Sequence, residues 1–138
     1  MKQQNPINIR LIDHVVIRVK NLEQMINFYS DVLGCRLERQ PGEGRLAQLR
    51  AGSSMIDLVD VTGALGRRGG GSPDPDARNM DHVCLQVEPW DADAIRTHLK
   101  RHSVEVGDVN TRYGALGSGP SLYINDPEGN TVELKGTS

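Results

Sequence analysis

The chain has 138 residues and nearly balanced charge, 16 Lys and Arg against 18 Asp and Glu. A net charge of -2 offers no basic field for a phosphate backbone, and no Lys/Arg run reads as a membrane patch. No apolar run approaches the roughly 20 residues that span a bilayer, and residues 1–8 lack the apolar core of a signal peptide, so the expectation is one cytoplasmic domain with no nucleic-acid or membrane partner.

Residues 1–10 are polar, carry Pro6, and predict a lead-in or an edge extension. Over residues 12–19 the side chains alternate, with Val15, Ile17 and Val19 on one face and His14, Val16 and Arg18 on the other. Asn21 is a good N-cap and Gln24 holds the capping-box position. Leu22, Met25, Ile26, Tyr29, Val32 and Leu33 then follow helical spacing up to Gly34. Short strands are predicted over 35–39 and 45–50, with a turn at Pro41 and Gly42 between them. A further strand, 55–61, carries Asp57 among Met55, Ile56, Leu58 and Val59, and a carboxylate inside an apolar strand requires a partner.

Residues 62–79 are rich in Gly and Pro without apolar periodicity, and read as a linker or a mobile loop bordering a site. A strand over 81–87 follows. Pro89 at a helix start, with Ala92, Ile95 and Leu99, predicts a second helix to about His102. Residues 104–109 read as a strand and 113–120, with Gly114, Gly117 and Gly119, as a flexible loop. Strands over 121–124 and 131–135 are joined by the turn Asp126-Pro127-Glu128-Gly129. Cys35 and Cys84 form no CxxC and are expected to be buried free thiols.

This order contains a repeat. Asp13-His14-Val15-Val16 parallels Asp81-His82-Val83-Cys84, and Met55-Ile56-Asp57-Leu58 parallels Thr131-Val132-Glu133-Leu134. Each half reads strand, helix, three strands. The fold class is therefore α+β, a single domain over 11–138 made of a module 11–61 and a module 80–136 joined by the linker 62–79. Pseudo-symmetry would direct two histidines and two acids toward one axis. Such a set suits Zn, Ni, Co, Mn or Fe(II) with positions open for water or substrate. Taken singly, each histidine is more often a satisfied strand residue than a ligand, and Asp57 or Glu133 can be read as a salt-bridge partner of an arginine.

The segments Ile12-Asp13-His14, Asn21-Leu22-Glu23, Phe28-Tyr29, Val32-Leu33-Gly34, Asp126-Pro127-Glu128-Gly129-Asn130 and Glu133-Leu134 resemble the vicinal oxygen chelate superfamily. That superfamily includes glyoxalase I, extradiol dioxygenases, fosfomycin-resistance transferases and bleomycin-resistance proteins. The resemblance implies paired βαβββ modules whose curved mixed sheets enclose a divalent metal in a cleft, often with a homodimer completing the site. It assigns His14, His82 and Glu133 as metal ligands and places Asp57 at a fourth ligand position that glyoxalase I fills with glutamate. Aspartate is shorter by one methylene, about 1.5 Å, which leaves direct, water-bridged and outer-sphere binding open. Arg18 resembles the arginine that holds a glutathione carboxylate in glyoxalase I, a cross-sheet salt bridge being its alternative. Val61 stands where glyoxalase I has an asparagine, which removes a contact to glutathione. Ser118, Ser121 and Tyr123 loosely resemble a phosphonate-binding segment, and a glycine-rich hairpin loop is their plain reading.

The function implied is a metal-dependent lyase or isomerase of glyoxalase-I type. It would act on a small molecule with vicinal oxygens through an enediolate, with Glu133 as base and Asp57 as second candidate. One alternative is an Fe(II) dioxygenase, which would want a further His and Tyr; His98 and His102 fall on the second helix, where exposure is the default. The other is a drug-sequestering protein, disfavoured by an aromatic content of 4% that offers little to stack on large planar drugs.

Overall fold

A computed structural model describes residues 5–42 and 45–137. The first strand, β1 (His14–Val19), keeps the predicted alternation: Ile17 and Val19 enter the core while Val16 is exposed. Asn21 caps helix α1 (Leu22–Asn27), its side chain accepting from the Gln24 N–H at 3.1 Å. The predicted α-helix does not run unbroken to Gly34. It widens into a π-helical turn, Phe28–Val32, which carries the successive aromatics Phe28 and Tyr29 both into the core. Gly34 then ends it with φ +75°, the left-handed conformation that glycine adopts without strain.

Strands β2 (Arg36–Arg39), β3 (Leu46–Ala51) and β4 (Ser54–Asp60) complete a sheet of order β1-β4-β3-β2, in which β1 and β4 are parallel and the other pairs antiparallel. The second half repeats the plan. Strand β5 (Val83–Gln86), helix α2 (Ala92–Arg101) and strands β6 (Asn110–Gly114), β7 (Gly117–Asn125) and β8 (Thr131–Lys135) build a sheet of order β5-β8-β7-β6, with β5 parallel to β8. Each half is a βαβββ module of the α+β class.

Four local expectations are corrected. Residues 104–109 form no strand, and 113–120 are no flexible loop: β6 and β7 make a hairpin through them. β7 is hydrogen-bonded on both sides, to β6 and to β8, and that pairing outweighs the weak strand preference of Gly117, Gly119 and Pro120. Pro89 does not open the second helix. It follows a cis Glu88–Pro89 bond, and Asp91 caps α2 by accepting from the Ala94 N–H at 3.0 Å. Of the two cysteines, both free, Cys35 is buried as expected but Cys84 is exposed, because it sits at an outward position of the alternation along β5.

The two modules share one apolar core, in which Met25, Phe28 and Tyr29 of the first join Leu99, Leu122, Ile124 and Val132 of the second. Polar contacts fix the boundary. The Tyr29 hydroxyl donates to Asp126 at 2.8 Å, and the Glu128 carboxylate accepts the Lys20 and Asn21 N–H groups at 2.7 and 2.8 Å. The linker is not slack. It contains a 3-10 turn, Gly66–Gly69, laid so closely on the end of β4 that a Cβ at Gly66 would lie 1.9 Å from the Asp60 carbonyl oxygen. Among the described residues no helix is long and apolar enough to cross a membrane.

Candidate metal centre

Register places the sequence candidates. Val16 pairs with Asp57 across β1 and β4, so His14, two residues earlier on the same face, stands diagonally beside that carboxylate. In the second module Cys84 pairs with Glu133, and His82 again precedes the partner of the acid by two residues. The two His/carboxylate pairs thus occupy the same positions in the two modules. Each acid also faces one residue on its other neighbouring strand: Gln48 opposite Asp57, Tyr123 opposite Glu133.

Both histidines are oriented in the same way. His14 Nδ1 lies 2.8 Å from the preceding Asp13 carboxylate and His82 Nδ1 2.5 Å from that of Asp81. A carboxylate on Nδ1 fixes the tautomer and turns the Nε2 lone pair outward, the arrangement of a metal-ligating histidine. The hydrogen bond that His14 donates to Asp13, and then the charge of Asp57, hold the imidazole above its ordinary pKa. His82 Nε2 sits 3.2 Å from Glu133 Oε1.

The acids are buried, Asp57 at 4% and Glu133 at 5% exposure. Asp57 has a weak partner, the Gln48 Nε2 at 3.4 Å from Oδ2, while Asp57 Oδ1 and Gln48 Oε1 are buried with no donor among the described residues. Buried acceptors without donors are costly, and a cation satisfies them. That fits a divalent ion at this half of the site. Around Glu133, partial burial and then the carboxylate itself push the Cys84 thiol up to about 11 and raise the Tyr123 hydroxyl as well.

Among the described residues no three His, Cys, Asp or Glu side chains lie close enough together to hold one metal ion. Within a single chain the candidates therefore remain two half-sites, His14 with Asp57 and His82 with Glu133. A crevice of about 430 Å³ is lined by Arg78, Asn79 and Thr131 and contains none of the four.

Arg18 shares the face of His14 and Asp57, as the alternation predicts, but its guanidinium is taken up by the linker. Nε donates to the Gly66 carbonyl at 3.1 Å, Nη1 to Gly71 at 3.0 Å and Nη2 to Gly70 at 2.5 Å. Ser121 is buried, and Tyr123 stands edge-on to His82 with ring centroids 5.5 Å apart. Ser118 is exposed on β7 opposite Tyr113. His98 lies away from these faces, its Nε2 2.8 Å from the Val32 carbonyl.

Two residues of this neighbourhood escape a reading of the sequence. Arg112 lies with its guanidinium 4.4 Å from the centre of the Tyr123 ring, donates to the Ser121 carbonyl and hydroxyl at 2.9 and 2.7 Å, and has no carboxylate partner among the described residues. Only the β6–β7 hairpin, read as a loop, brings it there. Gln48 is the first-module counterpart of Tyr123, and the repeat signals it: it lies nine positions before Asp57 as Tyr123 lies ten before Glu133.

The sequence signature of the Glyoxalase/Bleomycin resistance protein/Dioxygenase superfamily matches residues 11–134. A glyoxalase domain-containing protein of Mycosarcoma maydis, RDO1, is 34% identical over 135 residues, 96% of this chain and 72% of that protein. Human mitochondrial methylmalonyl-CoA epimerase is 25% identical over 93% of this chain and 74% of its own length. The crystal structure of an integron cassette protein from the mobile metagenome of V. cholerae superposes with a TM-score of 0.74 at 25% identity, covering 96% of this chain and 98% of that one. With its two βαβββ modules and a family match over nearly its whole length, the chain belongs to the Glyoxalase/Bleomycin resistance protein/Dioxygenase superfamily, the vicinal oxygen chelate proteins.

Proposed function

We propose that the protein is a divalent-metal-dependent lyase or isomerase of glyoxalase-I type, acting on a small anionic molecule with two adjacent oxygens, and that its site is completed by a second copy of the chain. The observation that carries this reading is the identical register of His14/Asp57 and His82/Glu133 on separate sheets. Two pairs so alike, each short of a full coordination set, are complementary halves under two-fold symmetry.

His14, His82, Glu133 and Asp57 would hold the metal, which supplies polarisation of two adjacent substrate oxygens and so acidifies the neighbouring C–H. Glu133 would take that proton and return it to the adjoining carbon; the Tyr123 hydroxyl and the Cys84 thiol beside it support this role by steadying the carboxylate between transfers. Arg112, a cation without an acidic partner among the described residues, supports an anionic substrate, and the Tyr123 ring holds it in place. One of the relatives is named as an epimerase, and inversion of a carbon next to a carbonyl is a reaction that proton removal and return accomplishes. Arg18, occupied by three carbonyls, serves this reading as a clamp on the linker rather than as a glutathione anchor.

The test combines metal analysis with subunit mixing. Purified protein is expected to bind Ni, Zn, Co, Mn or Fe and to gain activity with one of them in a screen of α-hydroxy carbonyl and hemithioacetal substrates. His14→Ala and His82→Ala chains, each inactive alone, are expected to regain about a quarter of the intact sites when mixed and re-associated, because each mixed dimer holds one whole site. Protein that binds no divalent ion would sink the enzyme reading, and mixtures that stay inactive would sink the shared site.

A further inference from the structure

Two of the four histidines belong to neither half-site. His98 lies in the last turn of α2, and His102 caps that helix four residues further on. Side chains at this spacing stand one above the other on a helix face. The His102 N–H donates to the His98 and Leu99 carbonyls at 3.3 and 3.1 Å, so the turn is closed and the spacing is held. The centres of the two rings are 4.7 Å apart, and the rings are tilted by 58°.

Each ring has a nitrogen to offer. His98 Nε2 lies 2.8 Å from the Val32 carbonyl. A carbonyl only accepts, so Nε2 carries the hydrogen and Nδ1 of the neutral ring keeps its lone pair. A backbone carbonyl on one ring nitrogen is also a common means of orienting a histidine whose other nitrogen binds a metal. His102 is exposed, and neither of its ring nitrogens has a hydrogen-bond partner among the described residues. It borders an open crevice of about 340 Å³, which gives water access to the pair.

We infer that His98 and His102 form a second metal site, distinct from the candidate centre on the two sheets, that takes one borderline divalent ion such as Zn(II), Ni(II) or Cu(II). Ligand chemistry selects the ion. Mg(II) and Ca(II) require oxygen ligands, whereas neutral imidazole suits the later transition metals. Lys100 and Arg101 flank the pair, and neither has an acidic partner among the described residues, so the site offers nothing to a cation held by charge alone. Among the described residues no third His, Cys, Asp or Glu completes the set. Water fills the remaining positions, and the ion is exchangeable. Because His98 also grips Val32, an ion held here stiffens the contact between α2 and the wide turn of the first module.

The experiment titrates ZnCl2 into the full chain while nuclear magnetic resonance follows the ring signals of the four histidines, assigned by single substitutions. The His98 and His102 signals are expected to shift together and to saturate at one ion per pair, whether or not His14 and His82 respond. H102A is expected to abolish the shift at His98, and H98Q the shift at His102. The Gln amide carries a donor where His98 has Nε2, so H98Q keeps the bond to Val32, and its metal-free thermal midpoint is expected to match that of the full chain. MgCl2 at the same concentration is expected to move neither ring. A shift at His98 that survives H102A, a shift at His102 that survives H98Q, or an equal response to Mg(II) overturns the site. Shifts confined to His14 and His82 overturn it too and leave the proposed function standing. Shifts confined to His98 and His102 do the reverse.

Discussion

The Tyr29 hydroxyl donates to the Asp126 carboxylate at 2.8 Å, each side chain buried, one from the wide turn that ends the first module's helix and the other from the hairpin turn of the second. Asp126 also accepts the Glu128 and Asn130 N–H groups and the Asn130 amide, so the turn is built around its two oxygens. Burial, and then the carboxylate, push the Tyr29 hydroxyl far above its ordinary pKa, so it remains a donor at all working pH. Tyr29→Phe removes the bond and leaves Asp126 its three bonds within the turn. We expect a loss of about 2 kcal/mol, read as a lower urea midpoint with an unchanged slope.

The conformation of the linker rests on absent side chains. Gly69→Ala would bring a Cβ to 2.3 Å from Arg18 Nε, and Gly66→Ala to 1.9 Å from a backbone oxygen of Asp60. The arginine can swing aside, at the loss of its three carbonyl bonds, whereas the backbone cannot. We expect Gly66→Ala to cost about 3 kcal/mol and Gly69→Ala about half of that. Equal midpoints for the two variants in thermal unfolding would contradict the close approach at Gly66.

Asp60 is 1% exposed and paired with Arg45 at 2.6 Å. Burial alone would raise its pKa, but bonds from the Thr62 hydroxyl and N–H, with the Arg45 charge, outweigh it and hold the carboxylate below its ordinary value. A depressed folded-state pKa contributes stability that is complete above the unfolded value, about 4, and is lost as pH falls through the folded value. Asp60→Asn is expected to be less stable at neutral pH by about 2 kcal/mol and to show a flatter stability profile as pH falls below about 4. Unfolding curves across that range decide it.

Gln48 gives the Asp57 carboxylate its only hydrogen bond among the described residues. In Gln48→Leu the carboxylate loses its orientation while its charge stays, so metal affinity is expected to fall about tenfold, measured by competition with a chelating dye. Gln48→Glu, which puts a second carboxylate beside the first, should make that affinity steeply pH-dependent.

Arg112→Met is expected to raise the KM for an anionic substrate at least about tenfold while changing kcat little, since a uniform binding contact is lost. A neutral analogue of the same substrate should not distinguish the variant from the parent.

Much of the architecture is legible in the residues because local chemistry and tertiary packing agree. Asn21, Gln24 and Gly34 delimit a helix that exists, and the two Asp-His-Val segments lead strands that exist. The segments that resist reading are those where the neighbours decide. Gly117, Gly119 and Pro120 have little strand preference of their own and become strand because β8 and β6 flank them. Residues 104–109 have the preference and lack a partner strand. The linker resists for another reason: its order comes from Arg18, more than forty residues away in sequence, donating to carbonyls that any sequence would offer.

The same holds for the candidate site. His14, Asp57, His82 and Glu133 are visible because they repeat, and their pairing in space follows from that repeat. Arg112 is invisible because its place depends on a hairpin that composition argues against.

The matched register of the halves, with unlike side chains on it, gives a cleft built from them a head and a tail. On one side stands the shorter acid with an amide beside it, on the other the longer acid with a phenol, a thiol and a guanidinium nearby. Under the proposed function, a substrate with two adjacent oxygens would meet these ends as different surfaces and settle one way round. The backbone plan supplies symmetry and the side chains remove it, so proton return to one face of the carbon, and a product of single handedness, is the outcome expected from chiral analysis of the product.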